Sequence, residues 1–382
     1  MRRTALLFAT LTLPLAACTF TEAEDNAAAP AETATAAPAA DPMASNDQQA
    51  APAEDKARPL MQAQVVLDRL GFTPGVVDGK MGLSTVNAIK GFQEAKGMQI
   101  SGELDEPTRQ ALAQWNRIPA TRVVTIPAEF ANQQFTPIPD DRKEQAELDR
   151  LGYESLGEKL AERFHTTPEV LAELNPELSG GAPTAAVAQP TNTASDSPPT
   201  SATPYRAGMQ LRVPNVGADR VDASAVKDEK WASTLRMLGV GTAQPTAAKV
   251  VVDKSDQVLR VLDAQGKLIA QFTATMGSTQ FPLPIGTWKI QGNAYNPTWQ
   301  YDPELLVGAD KSDPKLIIPP GPNNPVGVVW MDLSKEHYGI HGTSEPSTIG
   351  RAQSSGCIRL TNWDAARLAQ MLKPGIEAVF KA

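Results

Sequence analysis

Two short stretches near the C-terminal end decide the fold and the chemistry of this chain. They are Tyr338–Thr343 (YGIHGT) and Ser354–Leu360 (SSGCIRL), and they hold His341 and Cys357, sixteen positions apart. A thiolate is populated near neutral pH only beside a base or a positive charge, so a cysteine and a histidine that converge form a nucleophile and its activator. The two stretches therefore predict acyl transfer through a thiol.

The residues after Cys357 predict a helix. Thr361–Asp364 offers a capping box, Lys373–Gly375 ends the pattern, and between them apolar side chains recur at i, i+3, i+4 and i+7: Ala365, Leu368, Ala369 and Leu372. Cys357 is thus expected on the turn just ahead of the helix. Gly356 would let the backbone approach a substrate closely, and the amides around Gly356 and Cys357 are candidates for an oxyanion hole.

The region before these stretches predicts strands. Apolar residues alternate with period two at Val250 and Val252 and again at Val258–Leu262, and a return strand follows at 268–274 after the Gln265-Gly266 turn. More strands are expected at 286–291 and 326–331. We therefore expect a mostly-β domain with one late helix.

Together these segments resemble the YkuD-type L,D-transpeptidases, bacterial enzymes that cross-link peptidoglycan stem peptides through a cysteine acyl-enzyme. The residues that carry the active-site resemblance are His341-Gly342-Thr343, Pro346, Gly350, Ser354, Gly356-Cys357-Ile358-Arg359 and Asn362. Upstream, the matching residues are Met276-Gly277, Thr279, Pro282, Pro284 to Trp288, Asn296-Pro297-Thr298-Trp299 and Pro319 to Gly327. The resemblance covers residues 247 to 381.

The resemblance implies a β-sandwich-like fold and a role for each matching residue. Cys357 would be the nucleophile and His341 the base. Gly342 would orient the imidazole through its backbone carbonyl, and Gly356 would supply an amide to the oxyanion hole.

Substrate contacts are expected nearby. Arg359, with Ser354 and Ser355, fits a carboxylate of a stem peptide, although Arg359 could instead donate a structural salt bridge. Many members of the family have a second histidine where this chain has Ser355, which leaves His341 as the natural base. His337, four residues earlier, is the alternative base.

The N-terminus is expected to be a targeting segment. Arg2-Arg3 is followed by an apolar run, Ala5–Leu15, and then by Leu15–Cys18, which resembles a bacterial lipobox. Residues 1–17 would be a lipoprotein signal peptide and Cys18 the lipidated residue; the alternative is an ordinary secretory signal with an incidental cysteine. The chain has two cysteines, so lipidation of Cys18 would leave Cys357 as a free thiol.

Cofactors are not expected, because three scattered histidines and one free thiol give no metal-ligand spacing. Residues 18–58 are predicted to be a disordered acidic tether after the lipidated cysteine. Residues 19–55 carry eight acidic and no basic residues, whereas from residue 56 onward 33 basic residues face 35 acidic ones. This near balance gives no reason to expect a nucleic-acid partner.

Residues 59–116 predict three helices and resemble the small peptidoglycan-binding domain of wall enzymes. The apolar stripes are Leu60, Ala63, Leu67 and Leu70, then Ala88, Ile89, Phe92 and Ala95, then Ala111, Leu112 and Trp115. Asp78 and Thr85 match the pattern of that domain, either as turn and capping residues or as ligand contacts. No binding site is assigned to this segment.

The next segments are expected to be a connector at 117–150, an α+β module at 151–216 and a second connector at 217–246. The module resembles a degenerate LysM domain, interrupted by a low-complexity insertion at 179–204. His165 is expected merely to decorate a helix of this module. Residues 247–382 would be the catalytic domain.

These expectations predict a peptidoglycan L,D-transpeptidase that forms 3-3 cross-links from tetrapeptide stems. The alternatives are an L,D-carboxypeptidase, an enzyme that attaches an outer-membrane protein to the wall, or a non-catalytic wall-binding lipoprotein. The expected location is the periplasm of the cell envelope, with a lipid anchor in the outer membrane. A chain beginning near Lys249 is expected, if it folds, to react normally with small stem peptides but poorly with intact sacculi.

Overall fold

The computed structural model describes residues 57–179, 204–217, 220–222, 224–306 and 309–382. The predicted signal peptide, Cys18, nearly all of the acidic tether and the low-complexity insertion lie outside these residues. The described part of the chain belongs to one unit, Pro38–Ala382.

The first segment contains the three predicted helices and one short strand. They are α1 (Pro59–Arg69), β1 (Phe72–Thr73), α2 (Leu83–Ala95) and α3 (Glu106–Leu112). Pro59 occupies the first turn of α1, and the Asp105 side chain caps α3 by accepting a hydrogen bond from the Thr108 amide. Apolar side chains from all three helices close a small core between them, so the prediction of three helices is confirmed.

Asp78 and Thr85 are tied inside this segment by the side chain of Gln64. Gln64 Nε2 donates to Asp78 Oδ1 and to Thr85 Oγ1, each at 3.0 Å. Gln64 Oε1 accepts from the Gly79 amide at 2.6 Å. The structure therefore gives both residues the turn-forming contacts of the simpler interpretation.

The second segment has the order strand, helices, strand. Its elements are β2 (Thr121–Thr125), α4 (Ala128–Ala131), α5 (Arg142–Ala146), α6 (Leu156–Arg163), α7 (Pro168–Leu174), α8 (Pro176–Ser179) and β3 (Gln210–Pro214). β2 pairs with β3 in antiparallel register, and Ser155 and Thr167 cap α6 and α7. The partner strand of β3 thus lies within 117–150, a range interpreted as a connector in which Arg122–Ile126 favours a short strand.

The range 217–246, also interpreted as a connector, contains helix α9 (Glu229–Leu238). Asp228 caps its start and Gly239, in a left-handed conformation with φ 66°, ends it. Trp231, Leu235 and Leu238 of α9 are buried in the same core as the following strands.

The C-terminal region contains most of the strands and the late helix. Its elements are β4 (Lys249–Asp253), β5 (Val258–Leu262), β6 (Leu268–Thr273), β7 (Thr275–Met276), β8 (Gly286–Tyr295), β9 (Trp299–Tyr301), β10 (Leu316–Ile318), β11 (Val329–Leu333), β12 (Gly339–His341), β13 (Ile358–Arg359), α10 (Asn362–Met371) and β14 (Glu377–Lys381). The predicted strands and the helix after Cys357 are therefore confirmed, although the strand expected at 326–331 begins later, at Val329.

Strand β8 joins two halves of one sheet whose order is β1-β6-β5-β4-β14-β8-β11-β12-β13-β7. Its first residues pair with β14 and its later residues with β11. Val250 and Phe272 from one half and Met331 and Ile340 from the other are buried in a single apolar core. The two halves of the sheet share one core and form the predicted β-rich domain.

The helical N-terminal segment supplies the edge strand of this sheet. β1 runs parallel to β6, with Phe72 opposite Gln271. Gln271 Nε2 donates to the backbone carbonyl of Asn87 in α2 at 2.6 Å, and Gly91 leaves room for the Gln271 side chain. The helical segment at 59–116 and the β-rich region at 247–382 are thus joined through one shared sheet.

Three distant segments also meet at a buried ion cluster. The Asp68 carboxylate of α1 lies 3.2 Å from His165 Nδ1 and 3.4 Å from Arg367 Nη2 of α10. The His165 ring is fully buried and stacks on Trp363, with ring centroids 5.0 Å apart. The expectation that His165 only decorates a helix is therefore wrong, because its partners come from segments distant in sequence.

A chain beginning near Lys249 would lack several parts of the catalytic core. It would lose β1 from the sheet edge and α9 from the interior, and each large apolar side chain of α9 contributes about 1.5–3 kcal/mol of burial. It would also leave Arg367 without Asp68. We therefore expect such a chain to be destabilised, so its predicted reaction with small stem peptides depends on whether it folds.

Replacing Asp68 with alanine should cost about 3 kcal/mol of unfolding free energy, the lower end for breaking a buried ion pair, because it removes the carboxylate that Arg367 and His165 share while Asp364 Oδ1 still lies 4.0 Å from Arg367 Nη1. Burial raises the pKa of Asp68, but Arg367 and His165 outweigh that effect and lower it to about 2. The stabilising contribution of Asp68 is thus present above the unfolded pKa of about 3.9 and is lost as pH falls through 2. Urea unfolding at pH 7 measures the cost.

The matched control is Glu106→Ala, which removes an exposed ion pair with Arg109. It should cost no more than about 1 kcal/mol. An Asp68→Ala protein that is no less stable than this control would contradict the role assigned to the cluster.

Candidate active site

The parallel pair β12–β13 carries the candidate catalytic residues. Ile340 lies opposite Ile358, and His341 lies opposite Arg359. Both isoleucines are fully buried in the core, and side chains alternate along a strand. His341, Arg359 and Cys357, which directly precedes β13, therefore lie on the other face together.

His341 is held by its own neighbour and by an aromatic ring. Its Nδ1 lies 2.7 Å from the carbonyl oxygen of Gly342, and its ring stacks on Trp330 with centroids 5.4 Å apart. Since a carbonyl only accepts, Nδ1 carries the proton and Nε2 keeps its lone pair. The predicted orienting role of Gly342 thus has the geometry it needs, and Nε2 is left to accept a proton.

Glycine at position 339 makes room for the Trp330 ring. A Cβ on Gly339 would lie 2.3 Å from the indole. No signal in the sequence separated Trp330 from an ordinary strand residue, so the sequence analysis missed its contact with His341.

The imidazole of His341 is neutral at physiological pH. Burial and, to a smaller extent, the nearby Arg359 guanidinium lower its pKa to about 3, against the opposing effect of the hydrogen bond to Gly342. Only 3% of the residue is exposed. His341 is therefore a base before the reaction, and its protonated form would be a strong acid.

Cys357 is protonated in the same conditions. Burial raises the pKa of its thiol, while the Gly339 amide and the Arg359 guanidinium act in the opposite direction. Cys357 Sγ lies 3.8 Å from the carbonyl oxygen of His337, to which the thiol can donate. The resting pair is thus a thiol and a neutral imidazole, and the proton must move during attack.

His337 reaches the thiol through its backbone rather than through its ring. It adopts a left-handed conformation with φ 65°. Its ring is exposed, with Nε2 3.5 Å from Glu336. The two candidate bases are thus distinguished by burial: the ring of His341 lies inside the site.

The turn before Cys357 is built around Ser354. The Ser354 hydroxyl donates to the Cys357 carbonyl at 2.6 Å and accepts from the amides of Gly277 at 2.7 Å and Gly356 at 3.3 Å. Ser354 is buried, so it shapes the turn instead of meeting substrate as the sequence suggested. Ser355, next to it, is only partly buried.

Gly356 departs from its predicted role in a similar way. Its amide is engaged with Ser354 Oγ, and so it is not directed at a substrate oxygen in this structure. Its φ is 104°, and a Cβ here would lie 2.7 Å from the Tyr338 ring. Glycine is required because the turn passes close against Tyr338.

Arg359 has no salt-bridge partner within the part of the chain that the structure describes. Its Nε is buried without a hydrogen-bond partner there. The same guanidinium lowers the pKa of both Cys357 and His341. These observations disfavour the structural salt bridge and leave Arg359 able to accept an anionic group.

A polar cleft of about 430 Å³ lies beside the turn. It is lined by Met276–Thr279 on one side, by Ala352 and Gln353 on the other, and by Lys254 and Gln257. Because Ser354 hydrogen-bonds to Gly277, the cleft adjoins the turn that carries Cys357.

The described residues contain neither a metal-binding cluster nor a membrane-spanning helix. No group of three or more His, Cys, Asp or Glu side chains in these ranges could hold a metal ion. None of the helices found there is both long enough and apolar enough to cross a membrane.

Comparison with protein families identifies two regions of the chain. Residues 247–380 match the YkuD family model, described as the L,D-transpeptidase catalytic domain. Residues 58–112 match a model described as "Putative peptidoglycan binding domain". Both resemblances inferred from sequence motifs are thus supported, with nearly the predicted boundaries.

Among curated proteins, two relatives are "Putative L,D-transpeptidase YkuD" of Bacillus licheniformis and of Bacillus subtilis. They are 54% identical over 56 residues and 52% identical over 54 residues, or 15% and 14% of this chain. The matches cover 34% and 33% of those proteins, so the chain spans about a third of their length. A protein of Fuscovulum blasticum named "Putative L,D-transpeptidase in ATP synthase subunits region ORF 5" is 29% identical over 175 residues, which is 44% of this chain and 87% of that one.

The raised pKa of Cys357 predicts slow alkylation by iodoacetamide at pH 7 and a rate that still rises above about pH 8.5, where an ordinary thiol begins to level off. Mass spectrometry of a Cys18→Ser protein, in which Cys357 is the one thiol, measures this rate. Arg359→Gln should slow the reaction further, because it removes a neighbour that lowers the thiol pKa. Free cysteine in the same buffers is the control, and a rate that levels off below pH 7 would show a preformed thiolate instead.

Proposed function

We propose that this protein is a peptidoglycan L,D-transpeptidase that acts through an acyl-enzyme on Cys357. The observation that carries the proposal is the placement of Cys357, His341 and Arg359 on one face of β12–β13, within a domain that matches the L,D-transpeptidase catalytic family. The donor would be a tetrapeptide stem of the cell wall.

The first half-reaction follows from the ionisation of the resting pair. His341 Nε2 takes the thiol proton as Cys357 Sγ attacks the carbonyl carbon of the third stem residue. The bond to the terminal D-alanine then breaks, and the imidazolium gives its proton to the departing amine. A thioester on Cys357 and free D-alanine are the products.

In the second half-reaction, the amine of an acceptor stem attacks the thioester. His341, neutral again, takes the proton of that amine and returns it to the sulfur as the thiolate leaves. The product is a 3-3 cross-link and a regenerated thiol. A pKa lowered to about 3 makes the imidazolium a ready proton donor to the departing amine but makes neutral His341 a weak base toward the thiol, so loss of the thiol proton must be coupled to the attack of Sγ.

Arg359 would serve both halves of the cycle. Its positive charge favours the thiolate and disfavours a long-lived imidazolium. Its buried Nε has no hydrogen-bond partner among the described residues, so a stem carboxylate would supply one. We propose Ser355 and the cleft beside Met276–Thr279 as further substrate contacts.

The identity of the acceptor distinguishes two related functions. Water in place of the acceptor amine makes an L,D-carboxypeptidase, and an amine of an outer-membrane protein makes a protein-to-wall link. A non-catalytic wall-binding protein is a third candidate, but the neutral base and the thiol on one strand pair favour chemistry.

The N-terminal regions would deliver the enzyme to its polymer. Residues 58–112 match a wall-binding family, and the strand-helix-helix-strand order of β2, α6, α7 and β3 supports the LysM-like interpretation. Leu15–Cys18 supports a lipid anchor, which would place the protein in the periplasm, attached to the outer membrane. The anchor and the binding regions raise the effective concentration of wall near the site.

Incubation with defined disaccharide-tetrapeptides, read by mass, tests the reaction. The unaltered protein should form a thioester on Cys357, release D-alanine and yield a 3-3 dimer. Cys357→Ala should form neither the thioester nor a carbapenem adduct while keeping the fold, and His341→Ala should lower the acylation rate by about 10²-fold.

The control variant is His337→Ala, whose ring is exposed and should matter little. Equal losses in the His341 and His337 variants would refute the choice of base. An adduct on Cys357→Ala would refute the nucleophile, and trimmed monomers without dimers would identify a carboxypeptidase.

The anchor is tested separately. Cys18→Ser should move the protein from the membrane fraction to the soluble fraction, because the lipid has no other attachment point in the lipobox. The measurement is sedimentation of cell extracts followed by immunoblotting. A Cys18→Ser protein that still sediments with membranes would contradict the lipoprotein assignment.

A further inference from the structure

A carboxyl group from the accessory region reaches into the catalytic domain. Glu162 of α6 is only 7% exposed. Its Oε1 accepts a hydrogen bond from Asn362 Nδ2 at 2.7 Å, and the Tyr153 hydroxyl donates to its Oε2. Asn362 opens α10, two hundred residues further along the chain.

Asn362 in turn is wedged between two glycines of the active-site region. Its Oδ1 accepts from the Val328 amide at 3.2 Å, and its Nδ2 donates also to the Pro322 carbonyl at 3.0 Å. A Cβ on Gly327 would lie 2.1 Å from this Oδ1, and a Cβ on Gly342 would lie 2.2 Å from it. The amide group therefore fixes the position of the backbone at both glycines.

Gly342 is the residue that orients the catalytic base. Its carbonyl accepts the proton of His341 Nδ1 at 2.7 Å. A shift of Gly342 would change that hydrogen bond and with it the tautomer and tilt of the imidazole. The contacts thus run without a gap from Glu162 through Asn362 and Gly342 to His341.

Glu162 occupies this position at a cost in stability. Burial, with a smaller effect from Glu158, raises its pKa to about 7 against the opposing hydrogen bonds from Tyr153 and Asn362. Both of its hydrogen-bond partners are neutral side chains. A group whose pKa is raised on folding stabilises the fold at low pH, and that contribution is lost as pH rises through 7. The buried acid therefore contributes little stability at neutral pH, and its particular contribution is the hydrogen bond that it accepts from Asn362.

We infer that Glu162 is a positioning residue of the catalytic site, which holds Asn362 against Gly342 and so fixes the ring of His341. The inference rests on the proposed function for its kinetic consequences, but not for its structural ones. Under this inference, helix α6 of the accessory region helps to set the geometry of the active site.

The test is Glu162→Met, which keeps an unbranched side chain of similar length but cannot accept from Asn362. Replacement of a buried ionisable group by an apolar one of similar volume is often neutral for stability. We expect kcat for acylation to fall roughly 10- to 100-fold with KM little changed, as for a misplaced catalytic group. Glu162→Gln, whose amide oxygen can still accept from Asn362, should recover most of kcat.

A spectroscopic measurement reports the same contact without turnover. Nitrogen-15 NMR of the His341 ring should show the Nδ1-protonated tautomer in the unaltered protein and a mixture of tautomers in Glu162→Met. Glu169→Gln, a change at an exposed glutamate of α7, is the control and should alter neither readout. If Glu162→Met does not fold, Glu162→Ala takes its place with the same expectations.

A double-mutant cycle with Asn362→Ala completes the test. Since both residues act on one contact, the double variant should be no slower than the slower single variant. Unchanged kcat and an unchanged His341 tautomer in the Glu162 variants, or fully additive losses in the cycle, would overturn the inference. If the unaltered protein forms no acyl-enzyme, the proposed function fails, while the tautomer still decides the role of Glu162.

Discussion

The buried carboxylate of Asp68 is the constraint on which the arrangement of this molecule depends. A charge taken out of water is costly unless it is paired, and here Arg367 and His165 pair it from two other segments. Arg367 belongs to α10, the helix that begins five residues after Cys357. The cluster therefore ties the middle of α10 to α1 on one side and to His165, just after α6, on the other.

Two other contacts also join the N-terminal segments to the β-rich region. Strand β1 completes the edge of the sheet, and α9 fills part of its core. Wall-binding and catalytic regions recognised by their separate family models are thus parts of one folded unit.

The local patterns of the sequence located the chemistry well. The alternation at Val250 and Val252 and the i, i+3, i+4 repeat after Cys357 were sufficient for the strands and for α10, because both depend on neighbouring residues. The motif around His341 and Cys357 placed both side chains on one face. Gly342 has the geometry of its expected role, and a local motif was sufficient to predict it because its partner, His341, is the adjacent residue.

What the sequence did not reveal depends on contacts between distant segments. His165 contacts Asp68, ninety-seven residues away in sequence, and Glu162 contacts Asn362, two hundred residues away. No local periodicity in the sequence predicts either contact. Ser354 is predicted to contact substrate but instead hydrogen-bonds to Cys357 and Gly356 in its own turn and to the distant Gly277. The contact with Gly277 follows only from the three-dimensional path of the chain. Helix α9 does carry a local signal, since Trp231, Leu235 and Leu238 recur at i, i+4 and i+7, but its range was interpreted as a connector.

The central claim is that the accessory helices and the catalytic sheet unfold as one cooperative unit. Native-state hydrogen exchange measures this directly, by comparing opening free energies for amides in α1, α6 and β4. Our account predicts one common value, equal to the global unfolding free energy from urea denaturation. Amides of α1 and α6 that open at distinctly lower free energy, while β4 remains protected, would contradict it.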